Sequence, residues 1–160
     1  MNTLGKKLAD AWVKKHLIDV KSEEFPKNRR DSHLIQEQFH QVLKKKTVGW
    51  KIGMVTKNLQ DGAKVDGPMI GKIIEETVLM NPLKIHYSKV PHCILECEFA
   101  LKFLEDTKMV HGAENKKGNY EIFISLELVS TRIKPDSKKN LNSRELMFLN
   151  VADNGGAGAI

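Results

Sequence analysis

The stretch Ile94–Phe103, ILECEFALKF, sets two carboxylates, Glu96 and Glu98, into a run that is otherwise almost wholly apolar. Buried charge is costly unless an opposite charge lies beside it. The run is therefore either not a core strand, or it sits against cations supplied from elsewhere. In a strand, residues two apart share a face, so Glu96 and Glu98 point one way and Cys97 the other. Two like charges on one face repel unless a cation lies between them or one is protonated. Oxygen donors at this spacing suit a hard divalent ion, Mg²⁺ or Mn²⁺. The same pair also fits a solvated strand face or two salt-bridged surface acids.

A third acid of the same kind stands in FISLELVS, where Glu127 is a lone carboxylate in an apolar strand. Phe123, Ser125 and Glu127 share one face; Ile124, Leu126 and Leu128 share the other. If the two strands are neighbours, three carboxylates converge and leave open positions on an octahedral ion. The plainer alternative is an ion pair from Glu127 to Arg132 or to a lysine. GWKIG places Lys51 in a short strand between Trp50 and Ile52, with glycines at both ends. A lysine there snorkels to solvent or, if buried near a metal site, suits proton transfer or orientation of an anionic substrate.

The rest of the chain frames these strands. The sequence has 160 residues, enough for one domain with a real core, and a formal charge of +6. Lysines fall in small groups, Lys14–Lys15, Lys44 to Lys46, Lys116–Lys117 and Lys138–Lys139, outside any aromatic or nucleic-acid motif. They read as solvated faces and turns rather than a nucleic-acid footprint, and a basic surface can draw in small anions. No apolar run approaches a membrane span, and MNTLGKKLADAWVKK lacks the features of a signal peptide, so a cytoplasmic protein is expected. In an extended segment Cys93 and Cys97 lie about 13 Å apart, too far for a disulfide, and are read as reduced and buried or semi-buried.

Helical spacing of Leu4, Leu8, Trp12, Val13 and Leu17 predicts a first helix. A second, capped by Asp31 or Ser32, is predicted to carry Leu34, Ile35, Phe39, Val42 and Leu43 on one face. TVGWKIGMV, LKIHYSKV, CILECEFALKF and YEIFISLELVSTRI read as strands. KNLQDGAKVDGPMIG reads as a loop with one helical turn, KIIEETVLM is ambiguous, and EDTKMVHGAENKKGN and KPDSKKNLNSRE read as polar connections. The layout is α+β in a single domain, residues 1–46 helical and 47–160 β-rich.

Five blocks occur in order: GWKIGMVTK, VDGPMIG, LECEFAL, LELVSTRI and VADNGGAG. They resemble the 2-keto-4-pentenoate hydratase / 4-oxalocrotonate decarboxylase family of the fumarylacetoacetate hydrolase fold. Its patterns are similar: G-W/R-K-I-G-x-T-S, P-x-x-G, E-x-E-x-A-F, E-I-V-D-S-R and V-A-D-N-x-x-x-G. LIQEQ also resembles the family's Y-x-I-Q helix, so the likeness covers nearly the whole chain. The resemblance implies N-terminal helices followed by a mixed sheet or β-roll, here lacking the family's last strands. It implies Glu96, Glu98 and Glu127 as ligands of Mg²⁺ or Mn²⁺ and Lys51 as the active-site lysine. It offers Asp153, Asn154 and Arg132 as substrate-binding candidates. Met69 stands where hydratase members often carry an aspartate, Ser130 and Thr131 replace D-S, and Val55–Thr56 replace T-S.

The implied activity is a metal-dependent hydratase for a small 2-oxo or 2-hydroxy-dienoate acid, such as 2-hydroxypenta-2,4-dienoate, in aromatic-compound catabolism. The alternatives are a 4-oxalocrotonate-type decarboxylase on the same scaffold and a truncated, non-catalytic remnant acting as a binding protein. A small anionic acid is the expected partner, with no nucleic acid or membrane, and open sheet edges suggest a homo-oligomer.

Overall fold

A computed structural model of the chain describes residues 3–80, 84, 93–104 and 119–159. The layout is α+β. Helix α1 (Leu4–Lys14) buries Leu4, Leu8 and Trp12 at four-residue spacing, with Gly5, Ala9 and Ala11 beside them. Val13 drops off this stripe and is exposed. The helix stops where Lys15 turns left-handed and its N–H bonds back to the Ala11 carbonyl.

Helix α2 (Arg29–Leu43) starts one turn earlier than its predicted caps. Asn28 is the N-cap: its side chain accepts from the Asp31 N–H at 2.9 Å, and Asp31 lies in the first turn. Its buried face also differs from the predicted one. Leu34 and Val42 are exposed, whereas Ser32, Gln36, Phe39, His40 and Leu43 are buried. The helix has to satisfy two neighbours at once. Phe39 and Leu43 pack on α1, and the polar stripe Ser32–Gln36–His40, at four-residue spacing, turns toward a strand and a helix end described below. The two helices cross closely at Gly5, where an added Cβ would stand 2.6 Å from the Ile35 carbonyl oxygen and 2.7 Å from Gln38 Cβ.

Strands β1 (Thr47–Gly53) and β2 (Met69–Ile74) form an antiparallel pair with Lys51 opposite Gly71. Between them KNLQDGA is a full helix, α3 (Lys57–Ala63), capped by Thr56, and the sequence MIG belongs to β2 rather than to a loop. The ambiguous segment KIIEETVLM splits into the end of β2 and a 3-10 turn, Glu75–Thr77. The predicted strand LKIHYSKV, apart from Lys84, and the polar connection over 105–118 lie outside the described residues.

Strands β3 (Ile94–Phe103) and β4 (Tyr120–Val129) pair antiparallel along their whole length. A short β5 (Ala157–Ala159) pairs with the far end of β4. One element was hidden in the sequence: α4 (Ser143–Ala152) starts inside KPDSKKNLNSRE, read as a polar connection, and runs on through the apolar residues after it. Its signal is the capping box NSRE. The Glu145 N–H donates to Asn142 Oδ1 at 3.0 Å, and the Asn142 N–H donates to Glu145 Oε2 at 2.9 Å.

The core has two parts. Leu4, Leu8, Trp12, Phe39, Leu43, Ile74, Ile133 and Leu149 fill the space between α1, α2 and α4. Met69, Ala63, Val65, Phe148 and Val151 join α3, β2 and α4. Neither part includes β3, whose side chains are exposed on both faces apart from the half-buried Ala100. Among the described residues no helix is long and apolar enough to cross a membrane.

Gly5 tests the helix crossing. Gly5→Ala forces α1 and α2 apart, and overpacking of this kind costs about 1–3 kcal/mol. The denaturant midpoint in equilibrium unfolding is expected to fall accordingly, whereas Gly62→Ala, whose Cβ would meet nothing within 4 Å, has no such steric cost.

Candidate active site

The ladder of β3 and β4 sets Glu96 opposite Glu127 and Glu98 opposite Ser125. Directly opposed residues share a face, so the three glutamates lie on one side of the sheet. Lys102, Glu121 and Ser125 share that side. The other side carries Leu95, Cys97, Phe99, Leu101, Phe103, Ile122, Ile124 and Leu126, all exposed. Cys97 is thus exposed rather than buried; both cysteines are free thiols. Glu96 and Glu98 are tolerable in this run because their strand face is open to solvent.

Glu127 is different, with only 8% of its surface exposed. Its Oε1 is paired with Lys51 Nζ, which reaches across from the other sheet. The lysine also donates to the Gly155 carbonyl at 2.7 Å. Lys51 does not snorkel: its side chain is 14% exposed. Two glycines make its channel. A Cβ at Gly71 would stand 2.9 Å from Lys51 Cε, and one at Gly155 would stand 2.8 Å from the same atom. Gly71 is the glycine of P-x-x-G, so the motif has a steric reason: a larger residue would displace the lysine.

The turn after α4 supplies the carbonyl. Asn154, Gly155 and Gly156 all have positive φ, at 54°, 65° and 68°. Three successive left-handed residues favour asparagine and glycine, which is what D-N-G-G provides. Asp153 closes the turn from below. Its carboxylate pairs with Arg132 Nε and accepts the Arg132 N–H at 2.9 Å, and its carbonyl accepts from Arg132 Nη2 at 2.6 Å. Asn154 uses its amide as a strand would: Oδ1 accepts from the Lys72 N–H at 2.8 Å and Nδ2 donates to the Lys72 carbonyl at 2.9 Å. Asp153, Asn154 and Arg132 are all buried, and the bonds above tie the end of α4 to β2 and to the segment after β4.

Two further residues frame this site: Gln36, the glutamine of LIQEQ, and His40, which stands in no motif. Gln36 Nε2 donates to the carbonyls of Ile70 and Val151, both at 2.9 Å, joining α2 to β2 and α4. His40 Nε2 lies 3.0 Å from Asn154 Oδ1. Since that oxygen already accepts from Lys72, His40 carries its proton on Nε2. The bare Nδ1 is buried without a hydrogen-bond partner. Burial pushes the His40 pKa below its ordinary 6.5, and the Lys72 charge adds to this; Asn154 and Glu37 act the other way. The available signal was the polar stripe at Ser32, Gln36 and His40 along a helix face.

Among the described residues no three His, Cys, Asp or Glu side chains are gathered closely enough to hold a metal ion. Glu96, Glu98 and Glu127 share one strand face and have the donor chemistry of such a site, but not its spacing. Glu96 and Glu127 are directly opposed, Glu98 is two residues along, and carboxylates are the donors a hard cation takes.

The fold is an α+β fold with solved representatives. No family model matches the sequence, and no curated protein sequence matches it. Two structures of the 4-oxalocrotonate decarboxylase from Pseudomonas putida G7 are similar. One, complexed with magnesium and adipate, is 17% identical with a TM-score of 0.76 and is matched over 98% of this chain and 59% of its own. The other, complexed with calcium and acetate, is 17% identical with a TM-score of 0.75, over 98% of this chain and 58% of its own. The present chain therefore spans about three-fifths of the length of these structures.

Two outcomes test this geometry. Lys51→Met leaves Glu127 as a buried, unpaired carboxylate and is expected to cost about 3 kcal/mol; the double change Lys51→Met/Glu127→Leu recovers most of it in a double-mutant cycle. For His40, the unfolded ring binds a proton near pH 6.5 while the folded ring stays neutral to lower pH. The unfolded state then holds more protons, so stability falls as pH drops through that value and levels off below the folded pKa. His40→Gln is expected to flatten this part of the pH–stability curve.

Proposed function

We propose that this site belongs to a metal-dependent lyase acting on small 2-oxo or 2-hydroxy-dienoate acids. The observation that carries the reading is the buried Lys51–Glu127 pair, set beside the two exposed carboxylates of β3. Glu96, Glu98 and Glu127 would hold the divalent cation. Bound there, a divalent cation supplies Lewis-acid polarisation of a carbonyl and offsets carboxylate charge. Magnesium or calcium occurs in the similar decarboxylase structures, which supports a hard cation on this donor set.

The protein's own part lies with Lys51. Its ammonium is fixed by Gly155 and channelled by Gly71, so it presents a donor at one place. There it orients the carboxylate of a bound acid, and it passes a proton to the carbon that must be protonated as the enol returns to the ketone. The low exposure of Lys51 and Glu127 keeps bulk water from this proton.

Hydration and decarboxylation both need the same electron sink. Met69 bears on the choice: it is buried in the core with Phe148 and Val151, and so offers no acid to activate water where hydratases of the resembled family often carry one. Together with the named activity of the similar structures, this favours decarboxylation over hydration as the reaction class.

Calorimetric titration with Mg²⁺ and Mn²⁺ tests the site. A saturable single-site isotherm is expected, weakened at least tenfold by Glu96→Gln/Glu98→Gln, whose side chains are exposed and do not hold the fold together. Turnover of 4-oxalocrotonate above that of 2-hydroxypenta-2,4-dienoate would support the decarboxylase assignment. No saturable metal binding, or equal affinity in the double variant, would remove the basis of the enzyme reading and leave a non-catalytic binding protein.

A further inference from the structure

We infer that His40 is a positioning residue for Lys51, acting through the Asn154 amide. Its relevance to turnover rests on the reading of Lys51 given above; the geometric claim does not. His40 lies on α2, while Lys51 lies on β1 and pairs with Gly71 of β2. The connection runs through the α4 turn. His40 Nε2 donates to Asn154 Oδ1, and the same oxygen accepts the N–H of Lys72, the residue next to Gly71. Asn154 Nδ2 returns to the Lys72 carbonyl.

This arrangement decides which way round the Asn154 amide sits. A flipped amide would aim its NH₂ at the Lys72 N–H and at His40 Nε2, which could accept it only by moving the ring proton to the buried Nδ1, where no acceptor stands. Either way a donor is left facing a donor or buried without a partner, so His40 makes the flip costly. A fixed amide fixes a residue with φ of 54°, and the left-handed turn that begins there delivers the Gly155 carbonyl to Lys51 Nζ.

The ring is suited to the task by its surroundings. Its edge meets the Phe39 ring, with centroids 5.0 Å apart and planes at 89°. Protonation would place a hydrogen on the buried Nδ1, which has no acceptor. The Lys72 charge bears on the ring, and Glu37 holds its Nζ at 2.7 Å. His40 therefore serves as a fixed neutral donor rather than as a titrating group in the reaction.

The test measures Lys51 itself, without metal or substrate. Amines are acetylated in the native protein, and the rate at Lys51 is read by peptide mass spectrometry against exposed Lys57. Lys51 is expected to react slowly in the unmodified chain. His40→Leu is expected to raise its relative rate at least threefold. His40→Gln, which keeps an amide donor, is expected to stay within twofold of the unmodified chain. In an Asn154→Ala background His40→Leu should add nothing.

Three results overturn the proposal: an unchanged rate in His40→Leu, an equal rise in His40→Gln, or a persisting effect without the Asn154 amide. Should the leucine variant lose its cooperative thermal transition, His40→Phe, which keeps the ring contact with Phe39, takes its place under the same criteria. If metal titration fails while the acetylation pattern holds, the enzyme reading falls and the positioning role stands.

Discussion

A lysine and a glutamate facing each other away from water hold this molecule to its form. Lys51 comes from the β1–β2 pair and Glu127 from the β3–β4–β5 sheet. Each charge makes the other's burial tolerable, so neither sheet can move without exposing or orphaning one of them. Much else follows from that requirement. Gly71 and Gly155 have no side chains because the lysine stem passes between them. The turn after α4 is left-handed for three residues because a carbonyl has to reach Nζ.

How far the sequence revealed this depends on the kind of signal. The common face of Glu96, Glu98 and Glu127 was legible because strand geometry has a strict period of two, and a lone acid in an apolar strand is conspicuous. Lys51 stood out for the same reason. Its partner did not: sequence spacing cannot say whether Glu127 answers Arg132, a lysine or a metal, since that depends on how two sheets meet. The buried face of α2 was misread because apolar periodicity assumes a wholly apolar neighbour. Here the helix packs partly against backbone carbonyls and the Asn154 amide, which call for Gln36 and His40 rather than Leu34 and Val42. Helix α4 was hidden because it opens inside the polar stretch read as a connection, and only its capping box marks its start.

The β3–β4 pair shows the limits of local pattern in another way. One side of it reads as a core face, with phenylalanine, leucine and isoleucine along both strands, yet Phe99 is 79% exposed and Ile124 72%. The apolar pattern is a correct statement of what those residues would bury, because a sheet with one polar and one apolar face is built to be covered on the apolar side. The other side is the one that carries Glu96, Glu98 and Glu127. Placing acids there and hydrocarbon opposite lets a single pair of strands carry donor groups on one surface without giving up packing area on the other.

The motif D-N-G-G illustrates why structural and chemical roles are hard to part in such a site. Asp153 and Asn154 are as buried as any core residue, at 1% and 0% exposure, and by that measure they belong to the scaffold. Yet each holds a different wall of the lysine's surroundings. Asp153 fastens Arg132 and with it the segment leaving β4, the strand of Glu127. Asn154 fastens Lys72 and with it β2, the strand opposite Lys51. The two neighbours in sequence thus clamp the two sheets from which the ion pair is made. A substitution at either position would reach Lys51 without touching it, by displacing one of the two sheets that carry the ion pair.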